Sequence, residues 1–144
     1  MEVYALFSEA SEATRAPQRR KVLIVDDDHL VRDALRFILE DAGYDVWAVA
    51  HGADALAVLE SQAVDIVLSD IFMPGMNGFD LLKQIRQRRP DVPVILVTGF
   101  GNIEMARQAL KEGATDFITK PYNVNEIPIL IERNLMRHTI ESSR

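Results

Sequence analysis

Four short stretches of this sequence carry side chains that could do chemistry together: Asp26-Asp27-Asp28, Ser69-Asp70, Thr98-Gly99 and Thr119-Lys120-Pro121. Carboxylates held close repel one another unless a cation sits between them. Oxygen donors, with no cysteine in the chain and no histidine cluster, suit a hard ion, Mg2+ or else Mn2+. A carboxylate can also attack phosphorus and form an acyl phosphate. Phosphoryl transfer needs positive charge and hydrogen-bond donors at the equatorial oxygens. Lys120 offers the charge and Thr98 a hydroxyl. Gly99 offers a backbone N–H with no side chain in the way.

These residues can cooperate only if the fold gathers them. Each stretch ends a short apolar run. Val22-Leu23-Ile24-Val25, Ile66-Val67-Leu68 and Val94-Ile95-Leu96-Val97 read as strands buried on both faces. Phe117-Ile118 marks a fifth strand. Asp45-Val46-Trp47-Ala48-Val49 is more mixed in polarity, as an edge strand can be. Helical spacing follows each strand: Leu30 to Leu39, Ala53 to Ser61, Phe79 to Ile85, Met105 to Leu110 and Ile127 to Leu135. Gly43 and Gly113 read as helix stops. Pro128 tolerates only the first turn of its helix, so that helix is expected to begin at Asn125, as N-cap, or just after.

Alternating strands and helices imply parallel strands with crossover helices. Five units are too few for an eight-fold barrel, which leaves an open α/β doubly wound sheet. Ligands of such sheets bind at the carboxyl ends of the strands, where these four stretches lie.

The segments VLIVDDD, DIVLSDIFMPGMNGFDLL, VILVTGFGN and GATDFITKP resemble those of response-regulator receiver domains, in order and spacing, over roughly residues 20–138. The resemblance implies a flavodoxin-like five-stranded parallel sheet of order 2-1-3-4-5. It implies a phosphorylation-dependent switch rather than an enzyme with its own substrate, one that catalyses its own phosphorylation and dephosphorylation. Asp70 resembles the phosphoacceptor, charged from a phosphohistidine on a sensor histidine kinase or phosphotransfer protein. Asp26 and Asp27 resemble the acidic pair that holds Mg2+, with Asp70 and the backbone carbonyl of Phe72 as further ligands. Thr98 and Lys120 resemble the residues that bind the phosphoryl group, and Thr98 and Phe117 the switch pair. The family's Lys-Pro bond is cis, so Lys120-Pro121 is expected to be cis. The family's fourth helix, fifth strand and fifth helix often form a homodimer face.

Phe72 and Phe100 lie two residues beyond Asp70 and Thr98, and both are bulky and apolar. They are expected to hinder the hydrolytic water and lengthen the life of an acyl phosphate. Several other polar residues have plainer readings. Asp28 is expected to cap the helix that follows it. His29 and His51 are expected at the surface or at caps. Arg86, Arg88 and Arg89 are expected to complement a helix dipole.

Two rival readings stand beside the switch. Asp26-x-Asp28 after a strand also resembles the nucleophile motif of haloacid-dehalogenase-type phosphatases, with Asp26 as nucleophile. That reading leaves the Asp70 segment unexplained. The second rival is a degenerate receiver acting only as a binding module.

Composition narrows the rest. The 144 residues fit one domain and carry a net charge of −6. That balance argues against direct nucleic-acid binding by this domain. No apolar run is long enough to span a membrane, and Glu2, Glu9 and Glu12 precede any basic residue, unlike a signal peptide. A cytoplasmic location is expected. Residues 1–20 read as a flexible leader, although Val3, Leu6, Phe7 and Ala10 have helical spacing. Residues 139–144 read as a tail or the start of a linker to an output domain beyond Arg144.

Overall fold

The computed structural model describes residues 19–99 and 102–142. Its strands are β1 (Lys21–Val25), β2 (Asp45–Val49), β3 (Ile66–Asp70), β4 (Val94–Thr98) and β5 (Asp116–Thr119). They form one five-stranded sheet in the order β2-β1-β3-β4-β5, with every neighbouring pair parallel. The helices are α1 (His29–Asp41), α2 (Gly52–Ser61), α3 (Gly78–Arg88), α4 (Ile103–Lys111) and α5 (Ile127–Ser142). The expected fold class is the observed one. Among the described residues no helix is long and apolar enough to cross a membrane.

The continuous apolar runs follow from burial on both faces. Successive strand side chains point to opposite sides. Val22 and Ile24 of β1 join Ile66 and Leu68, Ile95 and Val97 under α1 and α5. Leu23 and Val25 join Val67, Val94 and Leu96 under α2, α3 and α4. β2 lies at the edge, where Val46 is buried and Trp47 is exposed.

The helix ends obey local chemistry. Asp28 accepts from the Leu30 N–H at 2.9 Å and caps α1. Replacing Asp28 with Ala is expected to cost about 1 kcal/mol, read as a lower denaturant midpoint at unchanged slope. Gly43 and Gly113 follow α1 and α4 with φ of +102° and +106°, the left-handed conformation that ends helices. His29 opens α1, and His51 sits at the cap position of α2 without a side-chain cap bond; both are exposed.

The start of α5 differs from expectation. Asn123, not Asn125, is the capping residue: it accepts from the Asn125 N–H at 2.9 Å and opens a 3-10 turn over Val124–Glu126. The Ile127 N–H then donates to the Val124 carbonyl. That carbonyl is the one an α-helical N–H at position 128 would need, so Pro128 leaves no bond broken.

The arginines near the end of α3 also differ. Arg86 donates from Nε to the Gly113 carbonyl at 2.9 Å and from Nη1 to that of Val92 at 2.6 Å. Arg89 donates to the carbonyls of Leu59 and Gln62, at the end of α2. Arg88 pairs with Glu60 at 3.0 Å. Their partners lie in neighbouring elements, so they tie loops together rather than only complementing their own helix.

Arg19 and Arg20, read with the leader, lie against the domain. Arg19 pairs with Asp45 at 3.2 Å and donates to the carbonyls of Glu40 and Tyr44. At the other end α5 runs unbroken across residue 138, where a boundary was expected. The rest of the expected leader, residues 1–18, lies outside the described residues.

Candidate functional site

Parallel pairing brings the strand ends level. Val25 of β1 is opposite Ser69 of β3, Asp70 is opposite Val97 of β4, and Thr98 is opposite Thr119 of β5. Asp26, Asp70, Thr98 and Lys120 therefore emerge along one edge, although they are separated by as much as 94 positions in the chain. Asp26, Asp70 and Thr98 are buried, Asp27 is exposed, and Lys120 is partly buried.

One carboxylate oxygen from each of Asp26, Asp27 and Asp70 lies within 4.8 Å of the others. The Lys120 ammonium closes the group from the β5 side, 3.4 Å from Oδ2 of Asp70 and 3.6 Å from Oδ2 of Asp26. Oδ1 of Asp26 accepts from the Asp28 N–H at 2.9 Å. The Lys120 backbone N–H donates to the Thr98 carbonyl at 2.8 Å, which ties the lysine loop to β4. The Lys120-Pro121 bond is cis, as expected.

Burial pushes the Asp70 carboxyl up from its ordinary value, and the charge of Asp26 pushes it further. Lys120 pulls it back only in part. Burial alone would lower the Lys120 ammonium, but Asp26 and Asp70 outweigh it, so its net shift is upward. Lys120 is therefore a fixed positive charge at neutral pH. Asp70 is a carboxylate under strain from its surroundings, which a cation or a phosphoryl transfer would relieve.

The donor set fits Mg2+. Three carboxylates supply hard oxygens, and Asp27 is exposed on the solvent side. A Cβ on Gly99 would meet nothing within 4 Å, so the backbone beside Thr98 stays open as expected.

Phe72 is 49% exposed just past β3. Phe117 packs partly buried against the core on the α2–α4 side, beside Leu96 of β4. Alternation along β4 places Thr98 on that same side of the sheet, so Thr98 and Phe117 share a face. Phe100 lies outside the described residues.

A family model for the response regulator receiver domain matches residues 22–132. The chain belongs to the response regulator receiver domain family. This receiver domain is 41% identical over 121 residues to the DNA-binding transcriptional regulator NtrC of Escherichia coli (strain K12), covering 84% of this chain and 26% of that protein. It is 46% identical over 106 residues to the C4-dicarboxylate transport transcriptional regulatory protein DctD of Rhizobium meliloti, covering 74% of this chain and 23% of that one. The chain thus spans about a quarter of the length of these curated relatives. Among solved structures, a CheY-like receiver domain protein from Methanospirillum hungatei superposes with a TM-score of 0.81 at 34% identity, covering 86% of this chain and 99% of that one. NtrX from Brucella abortus superposes with a TM-score of 0.82 at 33% identity, covering 88% of this chain and 29% of that one. Receiver domains are phosphorylation-dependent signalling switches, and this one has their fold throughout the matched region.

Two contributors to the site were not evident from sequence. Arg32, in the first turn of α1, donates from Nη1 to the Asp26 carbonyl at 2.8 Å and fixes the end of β1. Gly78 brings the start of α3 onto the end of β3, its N–H donating to the Ile71 carbonyl at 2.8 Å. The spacing Asn77-x-x-Asp80 was the available signal for that helix start. It forms a capping box, with Asp80 N–H donating to Asn77 Oδ1 at 2.9 Å.

Proposed function

We propose that Asp70 accepts the phosphoryl group and that the change of charge there drives the switch. The observation that carries this reading is the grouping of Asp26, Asp27 and Asp70 with Lys120 closing it. Asp26, Asp27, Asp70 and the Phe72 carbonyl would hold Mg2+, which when bound supplies positive charge against the carboxylates and the phosphoryl oxygens. An Asp70 carboxylate oxygen attacks the phosphorus of a phosphohistidine donor. The new O–P bond replaces the N–P bond, and the imidazole leaves with the bonding pair and takes a proton. Lys120 pairs with a phosphoryl oxygen, and the Thr98 hydroxyl donates to another. Those contacts favour the conformer in which Thr98 and Phe117 have moved inward, and the population shifts to it. Phe117 has no hydroxyl, so its part in the switch rests on packing.

The donor would be a sensor histidine kinase or phosphotransfer protein. The output would be a domain beyond Arg144 or a partner, because the matched relatives extend far past their receiver segments. Ile103 and Leu110, seven apart and exposed on α4, support a homodimer face through α4, β5 and α5.

Incubation with acetyl phosphate and Mg2+, followed by peptide mapping, tests the assignment. An acyl phosphate on the Asp70 peptide is expected. A phosphoryl group on Asp26 would instead support the phosphatase chemistry, which the family match already disfavours. No incorporation at all would support the degenerate receiver.

The half-exposed Phe72, two residues past Asp70, supports a slow-decaying phosphorylated state, because a bulky apolar side chain there would hinder an attacking water. Phe72→Asn is expected to speed phosphate release severalfold, and Phe100→Glu to act in the same direction. Unchanged release time courses in both variants would remove the two phenylalanines from the account.

A further inference from the structure

Asp27 is the exposed member of the acidic group, yet one of its carboxylate oxygens lies within 4.8 Å of those of Asp26 and Asp70. Packing does little to place an exposed side chain, so the backbone must aim it. The direction of the Asp27 Cα–Cβ bond is set by the two peptide planes that meet at its Cα, and each plane is rigid. Both planes are hydrogen-bonded. The carbonyl of the first, between Asp26 and Asp27, accepts from Arg32 Nη1 at 2.8 Å. The N–H of the second, between Asp27 and Asp28, donates to Asp26 Oδ1 at 2.9 Å.

Arg32 holds this place at an electrostatic cost. It lies in the first turn of α1, where no acidic residue stands and where the helix dipole disfavours a cation. Its backbone N–H makes the ordinary helical bond to the Asp28 carbonyl at 3.0 Å, so the helix does not need the guanidinium. The partly buried side chain instead turns back to the carbonyl that follows β1. Arg36, one turn further along α1, offers a comparison. It makes the same kind of bond, donating to the Val46 carbonyl at 3.2 Å, but towards the amino end of β2.

We propose that Arg32 is a positioning residue for Asp27: through the Asp26 carbonyl it aims the Asp27 carboxylate into the acidic group and so sets the affinity for Mg2+. The inference rests on the reading that Asp26, Asp27 and Asp70 hold that ion. Without a cation the three carboxylates repel one another, and the exposed one is the freest to leave. Holding the peptide plane before Asp27 keeps it in place, so an arriving ion meets its ligands already gathered. Two effects of Arg32 have opposite signs. Its charge repels a cation, so losing the charge alone would tighten Mg2+ binding. Its hydrogen bond aligns a ligand, so losing the bond weakens binding. Removing a group that orients a metal ligand typically lowers affinity by roughly 10- to 100-fold. Alignment therefore outweighs repulsion, and the opposing charge places the net effect at the lower end of that range.

Calorimetric titration of the full chain with Mg2+ reads that sign. Arg32→Ala is expected to bind Mg2+ roughly tenfold more weakly than the parent. Arg36→Ala, which removes a comparable tie on the same helix, is expected to leave the affinity unchanged. Arg32→Lys keeps the charge and a donor on a more flexible stem, and is expected to fall between the parent and Arg32→Ala. Amide relaxation of the metal-free proteins adds a reading that no ion enters: the order parameter of the Asp27 N–H is expected to drop in Arg32→Ala and to hold in Arg36→Ala. Mg2+ binding by Arg32→Ala as tight as the parent's, or tighter, would overturn the proposal. A lysine variant weaker than the alanine one would do the same, because charge would then be deciding. An equal loss in Arg36→Ala would also overturn it, by showing a general loosening of α1. Asp27→Asn separates this proposal from the reading beneath it. If Asp27→Asn binds Mg2+ like the parent, the metal site is elsewhere and both fall. If Asp27→Asn is weakened and Arg32→Ala is not, only the role of Arg32 falls.

Discussion

Replacing Asp70 with Asn is expected to abolish phosphoryl incorporation from acetyl phosphate and to raise the melting temperature of the metal-free protein. The first effect follows because an amide offers no carboxylate oxygen to form the acyl phosphate. The second follows from the surroundings of Asp70. Burial and the Asp26 charge hold its carboxyl above the ordinary value. Ionisation is therefore harder in the folded state than in the unfolded one. The stability associated with the protonated form is fully present below the unfolded carboxylate value and is lost as pH rises through the higher folded value. At neutral pH the ionised Asp70 thus weakens the metal-free fold, and Asn removes that burden. Lys120 is not orphaned, since Asp26 still lies 3.6 Å from it. Thermal melts in excess chelator should show Asp70→Asn above the parent at neutral pH. The gap should close in acid, below about pH 3.9. With Mg2+ added, the parent should gain more than the variant, which has lost a ligand. A variant that melts below the parent at neutral pH would show that Asp70 gains more from Lys120 than it loses to burial and Asp26.

Much of this site could be read from the chain because parallel sheets convert sequence position into spatial position in a simple way. A doubly buried strand is a short apolar run, and the residue after it stands at the sheet's carboxyl edge. Asp26, Asp70, Thr98 and Lys120 were found by that rule, and the paired registers place them level. Asp28 was legible as a cap because its partner is two residues away. What escaped depends on distant partners or on competing local geometries. Arg86 and Arg89 read as dipole partners, but their acceptors lie 27 and 30 positions away, at Gly113 and Leu59. The start of α5 turned on whether a 3-10 turn would reassign the Val124 carbonyl, which two nearby asparagines leave open. Gly78 carries no local signal in the chain, because the atoms that require it, the Asp70 carbonyl oxygen and the Ile71 Cα, belong to the end of β3.

Gly78→Ala is expected to be far more damaging than Gly52→Ala, although both glycines open helices and neither has a positive φ. Alanine is otherwise the better residue in a helix by about 0.5–1 kcal/mol. A Cβ at Gly52 would approach the Met76 sulfur at 2.7 Å, the flexible part of a side chain that can swing away. Gly52→Ala should therefore be near neutral. A Cβ at Gly78 would meet the Asp70 carbonyl oxygen at 2.6 Å and the Ile71 Cα at 2.7 Å. Both are backbone atoms at the end of β3, and Gly78 is itself hydrogen-bonded to the Ile71 carbonyl at 2.8 Å. The added methyl can be accommodated only by pushing α3 away from β3 or by moving the Asp70 backbone. Overpacking of this kind costs on the order of 1–3 kcal/mol. The consequence also extends to chemistry. Displacing the Asp70 backbone shifts its carboxylate relative to Asp26, Asp27 and Lys120, so Mg2+ affinity and phosphoryl incorporation should fall together with the melting temperature. Restoring stability with an unrelated substitution elsewhere should leave the Mg2+ affinity low, because the defect lies in the position of one backbone segment. If Gly78→Ala binds Mg2+ as tightly as the parent, the close approach of α3 to β3 does not set the acceptor's place.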